Sequence, residues 1–393
     1  MNRVRAAAFA AASLSLLVLI AAGWWWLSRP GPLHLSRSTF ADLPGWQEAK
    51  LEPALLSFQR GCAILQTRSA GMSMGGAGYA GKVGDWLGPC DAAARQAMAA
   101  RRFFESGFTP YTVRAGWVRG GVFTGYYEPQ IRASRFRHGA FQTPVYGLPP
   151  DLVRVDLGQF SPRLNGEHIA GRLDGQRLVP YPDRAAIDAS GIAKAPSLLY
   201  TDDPVGLFFL QIQGSGRVRF DDGAVARLGY AGDNGQPYTA IGRVLIAAGA
   251  LTKENVSLQS IRAWLKAHSG RARAVMEADK SYVFFYEAPL GDTALGSRGT
   301  LGAALTPGAS LAVDPRLHAL GAPFYVVTDG DVTLESLLIA QDTGGAIRGP
   351  VRGDVFFGFG TEAESRAGGM KAEGKMFVLL PNGLAARLGA EWP

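Results

Sequence analysis

Cysteine and histidine are scarce in this chain. Cys62 and Cys90 are the only cysteines among 393 residues, and the five histidines, His34, His138, His168, His268 and His318, share no helical or turn spacing. Zinc centres are built from such residues at short, repeated intervals, so no metal site is expected. No glycine-rich phosphate loop opens a helix between two strands, because Gly214-Ser215-Gly216 reads as lying between strands. No serine reads as a nucleophile elbow, which needs a strand-to-helix turn around it. Without these devices no cofactor is expected.

Charge is modest and unclustered. Charged residues make up 19% and apolar residues 47% of the chain, a globular composition with ample material for a core. The net charge of +7 is spread without a basic block, which suits an anionic polymer or a membrane surface and argues only weakly for nucleic acid, which is not expected as a partner. There is no internal repeat and no low-complexity tract. At 393 residues the chain is long for one domain, and two or three are expected.

One long hydrophobic run is present. Arg3 and Arg5 precede it, it spans residues 6–27, and Trp24, Trp25 and Trp26 stand near its end. A positive start followed by such a run is an export signal, and this run is long enough to span a bilayer, with tryptophans suited to the interface. Ala21-Ala22-Gly23 offers small residues for cleavage. Residues 1–35 are therefore read as a signal peptide or a signal anchor, with residues 6–27 as the membrane tether if they are retained. Both readings stay open, and the stretch is set aside from the fold. No cysteine lies near the junction, which argues against a lipid anchor. Export also gives the cysteine pair a meaning: an oxidising compartment permits a disulfide between Cys62 and Cys90, with two buried thiols as the alternative.

Further along, Leu51, Leu55, Phe58, Cys62 and Leu65 fall three and four apart and predict an amphipathic helix. Residues 69–84 are glycine-rich and read as mobile. Asp91 is placed to cap a second helix that runs to Ser106, with Gly107 as its stop. From Tyr111 strands dominate, at 113–118 and 122–127, around a hairpin at Asp174-Gly175, and at 205–213 ahead of Gly214-Ser215-Gly216. Helices return at 239–248 and 258–267, the latter capped by Ser257, and 282–286 is a further strand. Short strands with glycine and proline punctuation follow residue 301, as in a small barrel, with Thr361 and Glu364 as a capping box and 376–380 as the closing strand. No clear linker follows residue 110, which points to domains inserted into one another.

The stretch around which the chain is organised is LLIAQDTGGAIRGPVRGDVFFGFG, residues 337–360. A short apolar strand delivers Asp342, the chain breaks at Gly344 and Gly345, and a second strand starts at Asp354. Glycine costs a loop conformational entropy and is retained where backbone must take positive φ or let something approach closely. Both aspartates also read simply as turn caps. The chemistry left to the chain is that of carboxylates, with Asp314 in AVDP and Glu128 in TGYYEP beside these two. Carboxylates among aromatics are equipment for cleaving glycosidic bonds, where one carboxyl must stay protonated near neutral pH. Val355, Phe356 and Phe357 are placed to desolvate Asp354, and Asp342 to supply a like charge or a hydrogen bond. Tyr126, Tyr127 and Tyr230 are candidate sugar platforms, although a single tyrosine is more often a core or rim residue. Gln211 and Gln213 share one face of the expected strand, with Ser215 beyond, so their amides are placed to meet sugar hydroxyls. Residues 229–235 form a second polar loop; for both loops a tight hairpin and a helix-entry turn remain the plain alternatives.

Taken together, these motifs resemble a known family. FTGYYEP (123–129), LQIQGSGRVRFDDG (210–223), GYAGDNGQPYTAIG (229–242) and SYVFFYE (281–287) are similar to the membrane-bound lytic transglycosylase A family. AVDP and AQDTGGAIRGPVRGDVFFG resemble its C-terminal module, named for three aspartates, here Asp314, Asp342 and Asp354. The resemblance runs from about residue 50 to the end, in the family's order. It implies a mainly β fold with some α: a double-psi β-barrel domain from residues 40–128 plus 289–393, a second β-rich domain inserted at 129–288, and a groove between them for a glycan strand. It also implies a peptidoglycan lytic transglycosylase that cleaves the β-1,4 bond between MurNAc and GlcNAc and leaves 1,6-anhydro-MurNAc ends. Asp354 would be the single acid/base and Asp342 a supporting member, and Thr124 would help position that acid or the substrate; with Thr124, the residues Gly125, Tyr126, Gln211, Gln213, Ser215 and Gly344 make up the expected substrate-binding set. The implied partner is the glycan strand, with cell-wall synthesis or division proteins as further candidates. A monomer is expected, in the periplasm of a Gram-negative bacterium, secreted or held by its N-terminal segment. Two rival readings stay open: a muramidase using Asp342 and Asp354 as a hydrolytic pair, and a wall-binding module without catalysis.

Overall fold

A computed structural model describes residues 31–95, 98–164, 167–329 and 333–392. The expected signal or anchor run lies outside them. Among the described residues no helix is long and apolar enough to cross a membrane.

The first part of the chain contributes β1 (Leu33–Arg37), the helices α1 (Glu52–Leu65), α2 (Gly84–Ala94) and α3 (Ala100–Gly107), then β2 (Phe108–Ala115) and β3 (Gly121–Glu128). Ala54, Phe58, Cys62 and Leu65 form the buried stripe of α1. Asp91 does not cap a helix. α2 already begins at Gly84, and Trp86, Cys90 and Ala93, at helical spacing, turn one face inward. Cys62 and Cys90 form a disulfide that joins α1 to α2, with Cα atoms 5.3 Å apart. Residues 69–84 pack against the barrel, because Tyr79, Ala80 and Val83 are buried. Residues 71–75 spell G-x-S-x-G, yet Ser73 lies in this loop and its Oγ accepts the Gly75 N–H at 3.1 Å.

The middle of the chain contributes β4 (Gln130–Ser134), β5 (Thr143–Tyr146), β6 (Val153–Asp156), β7 (His168–Asp174), β8 (Arg177–Pro180), β9 (Ser197–Thr201), β10 (Gly216–Phe220), β11 (Val225–Asp233) and β12 (Val283–Pro289). Six of these form a sheet in the order β12-β11-β10-β4-β9-β5, and β6-β7-β8 form a separate small one. The helices here are α4 (Arg184–Ser190), α5 (Pro204–Gln213), α6 (Ile241–Ala247), α7 (Leu258–Ala267) and α8 (Ser269–Glu277). Ser257 caps α7 as expected, its Oγ accepting the Ser260 N–H at 3.1 Å.

The expected strand at 205–213 is the helix α5. Asp203 accepts the Gly206 N–H at 2.8 Å at its start, and Gly214, at φ 79, closes it in the left-handed conformation. Leu207 and Leu210 enter one core, whereas Val205, Phe208 and Phe209 enter another. A helix buried on two sides has no polar face to reveal its period, and its apolar run imitates a strand.

The last part contributes β13 (Ser310–Val313), β14 (Pro323–Asp329), β15 (Leu334–Thr343), β16 (Arg352–Phe359), α9 (Gly360–Gly369), β17 (Lys371–Pro381), α10 (Asn382–Leu388) and β18 (Glu391–Trp392). In the order β14-β15-β13-β16-β3-β17, with β17 pairing back to β14, six strands close a barrel, and β2, β1 and β18 extend from β17. β13 pairs with β15 and β16 with β3 in parallel, the remaining barrel pairs being antiparallel. The fold is thus mainly β with some α, a double-psi β-barrel joined to a second β-rich part. The capping box at Thr361 does not form: α9 starts at Gly360 without a side-chain cap, and Glu364 pairs with Arg262 on α7.

Candidate active site

The barrel brings two carboxylates to one place by strand pairing. Ala312 of β13 is in register with Asp342 on β15 on one side and with Asp354 on β16 on the other. The pairing of β13 with β15 shifts between Leu311 and Ala312, leaving Gln341 as an extra residue on β15. A bulge re-aims the side chains after it. Gln341 turns inward, where its amide accepts from Ser57 Oγ at 2.9 Å and donates to the Ser57 carbonyl at 2.9 Å. Asp342 emerges where its charge acts on Asp354, across Ala312 of β13.

The two carboxylates are engaged unequally. Asp342 Oδ1 accepts from the Thr300 N–H at 3.0 Å and from Thr300 Oγ1 at 2.9 Å, while Oδ2 accepts from the Tyr126 hydroxyl at 3.0 Å. Asp354 Oδ1 accepts from Thr124 Oγ1 at 2.6 Å, and no hydrogen bond reaches Oδ2 among the described residues. Arg352 Nη2 donates to the same Thr124 oxygen at 2.8 Å. Burial pushes both aspartates above the usual carboxylate range. For Asp342 the donors from Thr300, Thr343 and Tyr126 oppose it; for Asp354 the Thr124 bond and the Arg352 charge oppose it and the Asp342 charge adds to it. Burial, then the two aspartates, holds the Tyr126 phenol well above its ordinary value, so it stays a donor.

The apolar wall beside these groups is narrower than expected. Tyr126 packs on Phe356 with ring centroids 5.2 Å apart, in a buried cluster with Leu305, Ala312 and Ile347. Val355 and Phe357, expected to desolvate Asp354, point away into the main barrel core, because neighbours on a strand face opposite sides.

The loop between the aspartates is fixed from below. Asp314 is buried and accepts from Arg316 Nε at 3.0 Å, Arg316 Nη2 at 2.8 Å and the Gly349 N–H at 2.9 Å. Burial acts to raise its carboxyl, but these donors together hold it below the usual range. Gly349 has φ 112, a conformation that a side chain would strain. His318 Nε2 lies 2.7 Å from the Pro350 carbonyl and therefore donates, while Nδ1 accepts from the Tyr79 hydroxyl at 2.9 Å. Burial pushes His318 down to about 4. Glu128 lies elsewhere: it is buried where β3 leads into β4, bonded to Arg217 Nε at 2.7 Å and Arg227 Nε at 2.9 Å.

Known proteins share this arrangement of sequence. Residues 122–286 match the MltA specific insert domain, and residues 309–380 match the 3D domain. The crystal structure of MltA from Neisseria gonorrhoeae (monoclinic form) superposes with a TM-score of 0.74 at 34% identity, covering 89% of this chain and 93% of that one. The chain belongs to the membrane-bound lytic murein transglycosylase A family. It is 35% identical over 268 residues to the protein of that name from Escherichia coli K12, and the aligned segment spans 65% of that relative's length and 65% of this chain. The structure of E. coli MltA with bound chitohexaose is similar with a TM-score of 0.63 at 26% identity, covering 83% of this chain and 90% of that one.

Within this chain the expected site residues separate into groups. Asp342, Asp354, Thr124 and Tyr126 come together. Gly125 sits between the last two, where a Cβ would lie 2.4 Å from Phe357, and a Cβ at Gly344 would lie 2.9 Å from Ile347, so both glycines serve close packing. Gln213 accepts the Tyr127 N–H at 3.1 Å, which places it beside β3, and Ser215 accepts from Ser297 Oγ at 2.7 Å, in the segment that follows β12. Gln211 is a correction. On a helix it does not share a face with Gln213, and its buried amide is held by Arg184 and the Val283 carbonyl. Tyr126 and Tyr127 are buried and present no open ring, whereas Tyr230 is exposed, with its hydroxyl on Asp233. Among the described residues no cluster of His, Cys, Asp and Glu is arranged to hold a metal. Sequence reading passed over Thr300, Gln341 and Arg352. Only Arg352 left a signal, two residues before Asp354 and so on the same strand face.

Proposed function

We propose that this protein is a peptidoglycan lytic transglycosylase in which Asp354 is the single acid/base for cleavage of the β-1,4 bond between MurNAc and GlcNAc. The observation that carries the reading is the unequal engagement of the two carboxylates. Both oxygens of Asp342 are occupied by donors, while no donor among the described residues reaches Asp354 Oδ2. Asp354 donates its proton to the bridging oxygen, the bond to C1 breaks and an oxocarbenium-like state develops. The resulting carboxylate takes the proton of the MurNAc C6 hydroxyl, whose oxygen bonds to C1. The 1,6-anhydro ring forms, no water is consumed, and the acid is restored. A paired-carboxylate hydrolase needs a second carboxylate free to act as base or nucleophile, and Asp342 is not free.

The chain divides, on this reading, into a barrel domain of residues 40–128 plus 289–393 and an inserted domain of residues 129–288, with the glycan strand in the groove between them. The relative solved with bound chitohexaose supports a glycan ligand. Thr124, Gly125, Tyr126, Gln213, Ser215 and Gly344 border the strand. The membrane-bound name of the E. coli relative supports a place in the cell envelope, here the periplasm of a Gram-negative bacterium. Mass spectrometry of material released from purified sacculi tests the proposal. Ends lighter by one water than reducing MurNAc support it, reducing ends favour the muramidase, and no release favours a binding module.

A further inference from the structure

Arg352 and Asp354 leave β16 on the same side, and the arginine reaches across to β3. Its Nη2 donates to Thr124 Oγ1 at 2.8 Å, and its Nη1 donates to the Val122 carbonyl at 3.3 Å and to its neighbour's, Gly353. Thr124 Oγ1 is itself 2.6 Å from Asp354 Oδ1. A guanidinium has donors only, so the threonine oxygen must accept at that contact. Its one hydrogen is then directed to Asp354.

Resting on the acid/base role of Asp354 given above, we propose that Arg352 is a positioning residue that locks the Thr124 hydroxyl as a donor to Asp354 Oδ1 and so confines the working proton to Oδ2. Without the arginine the hydroxyl rotates, and it accepts a hydrogen bond from a protonated Oδ1 as readily as it donates one. With it, Oδ1 is permanently an acceptor, and the proton sits on the oxygen that no donor among the described residues occupies. When that proton leaves, the new carboxylate already has its hydrogen bond, with a cation one hydroxyl away. Other charged or titratable groups near this unit are Asp342 and Tyr126, and on β17 Lys371 and Glu373, which pair with Thr124 and Val122. None of these supplies the hydrogen bond to Thr124 Oγ1.

The test is a double-mutant cycle of R352M and T124V, with kcat and KM measured across pH on isolated glycan strands. R352M alone should lower kcat by about ten- to a hundredfold with KM for the strands little changed, less than the roughly hundred- to thousandfold cost of removing a donor that touches the developing charge directly. It should also move the high-pH limb of kcat upward, because the ionised acid loses support. Added to T124V it should cost little more, since the hydroxyl it orients is gone. R352K, which keeps a cation and a donor, should recover most of the rate. Independent, multiplying losses from R352M and T124V, an unmoved pH limb, or a rise in KM at constant kcat would each overturn the inference. If R352M does not fold, R352Q is read for the same limb shift. Activity retained in D354N sinks the acid/base reading itself, whereas an inactive D354N with an additive cycle removes only the role of Arg352.

Discussion

Thr124 and Asp354 stand opposite one another in the parallel pairing of β3 and β16, with Thr124 Oγ1 2.6 Å from Asp354 Oδ1. The pairing joins strands from the two ends of the chain. The geometry of the acid is therefore set by closure of the barrel and not by the glycine loop that precedes it. A rigid strand pair holds a catalytic side chain more tightly than a loop does.

Asp342 should tune Asp354 without replacing it. Its charge acts to raise the carboxyl of Asp354. In D342N that contribution is lost, Asp354 becomes a stronger acid, and the high-pH limb of kcat moves to lower pH. Activity should fall and persist, and a pH–rate profile checks the direction. An upward shift would contradict the arrangement.

The neutral His318 should make the fold acid-sensitive. Burial lowers it to about 4 from an ordinary value of 6.5, so the unfolded chain binds its proton first as pH falls. Stability rises with pH through this window: the penalty begins below about 6.5, grows until about 4 and is constant beneath, roughly 3 kcal/mol in all. Denaturant unfolding of the wild type between these values should show the slope, and H318Q should lose most of it.

Glu128 should behave as a structural latch. It is buried between Arg217 and Arg227, and Arg217 also lies over the Phe359 ring at 3.4 Å. E128A leaves two buried guanidinium groups without their shared partner, a loss of about 3–5 kcal/mol for pairs of this kind. Thermal unfolding should show it, and the fraction still folded should keep the wild-type product, anhydro ends.

The disulfide should matter to stability alone. It closes a loop with a sequence separation of 28 and joins α1 to α2, and neither cysteine is among the partners of Asp342 or Asp354. Chain-entropy reasoning puts its contribution at about 3–4 kcal/mol. Reduction, or C62S with C90S, should lower the denaturation midpoint and leave kcat on glycan strands unchanged.

The strands that carry the site were legible because their apolar runs end at glycine and proline, and the aspartates stand at those ends. Residues that act through pairing were not legible. Thr300 and Gln341 reach Asp342 and its strand through a loop contact and a bulge that no local pattern announces. α5 was misread because both of its sides are buried, and with it Gln211, which the helix turns into the interior. The capping expectations at Asp91 and Thr361 failed for a common reason: short polar residues that suit a cap also sit inside helices whose start is fixed by packing.

The most direct measurement is the mass-spectrometric analysis of soluble products from purified sacculi digested by wild type, D354N and D342N side by side. Anhydro-MurNAc ends are expected from wild type, the same ends at a lower rate from D342N, and a loss of about a hundredfold or more from D354N. Substantial release by D354N, or reducing MurNAc ends from the wild type, would contradict that expectation.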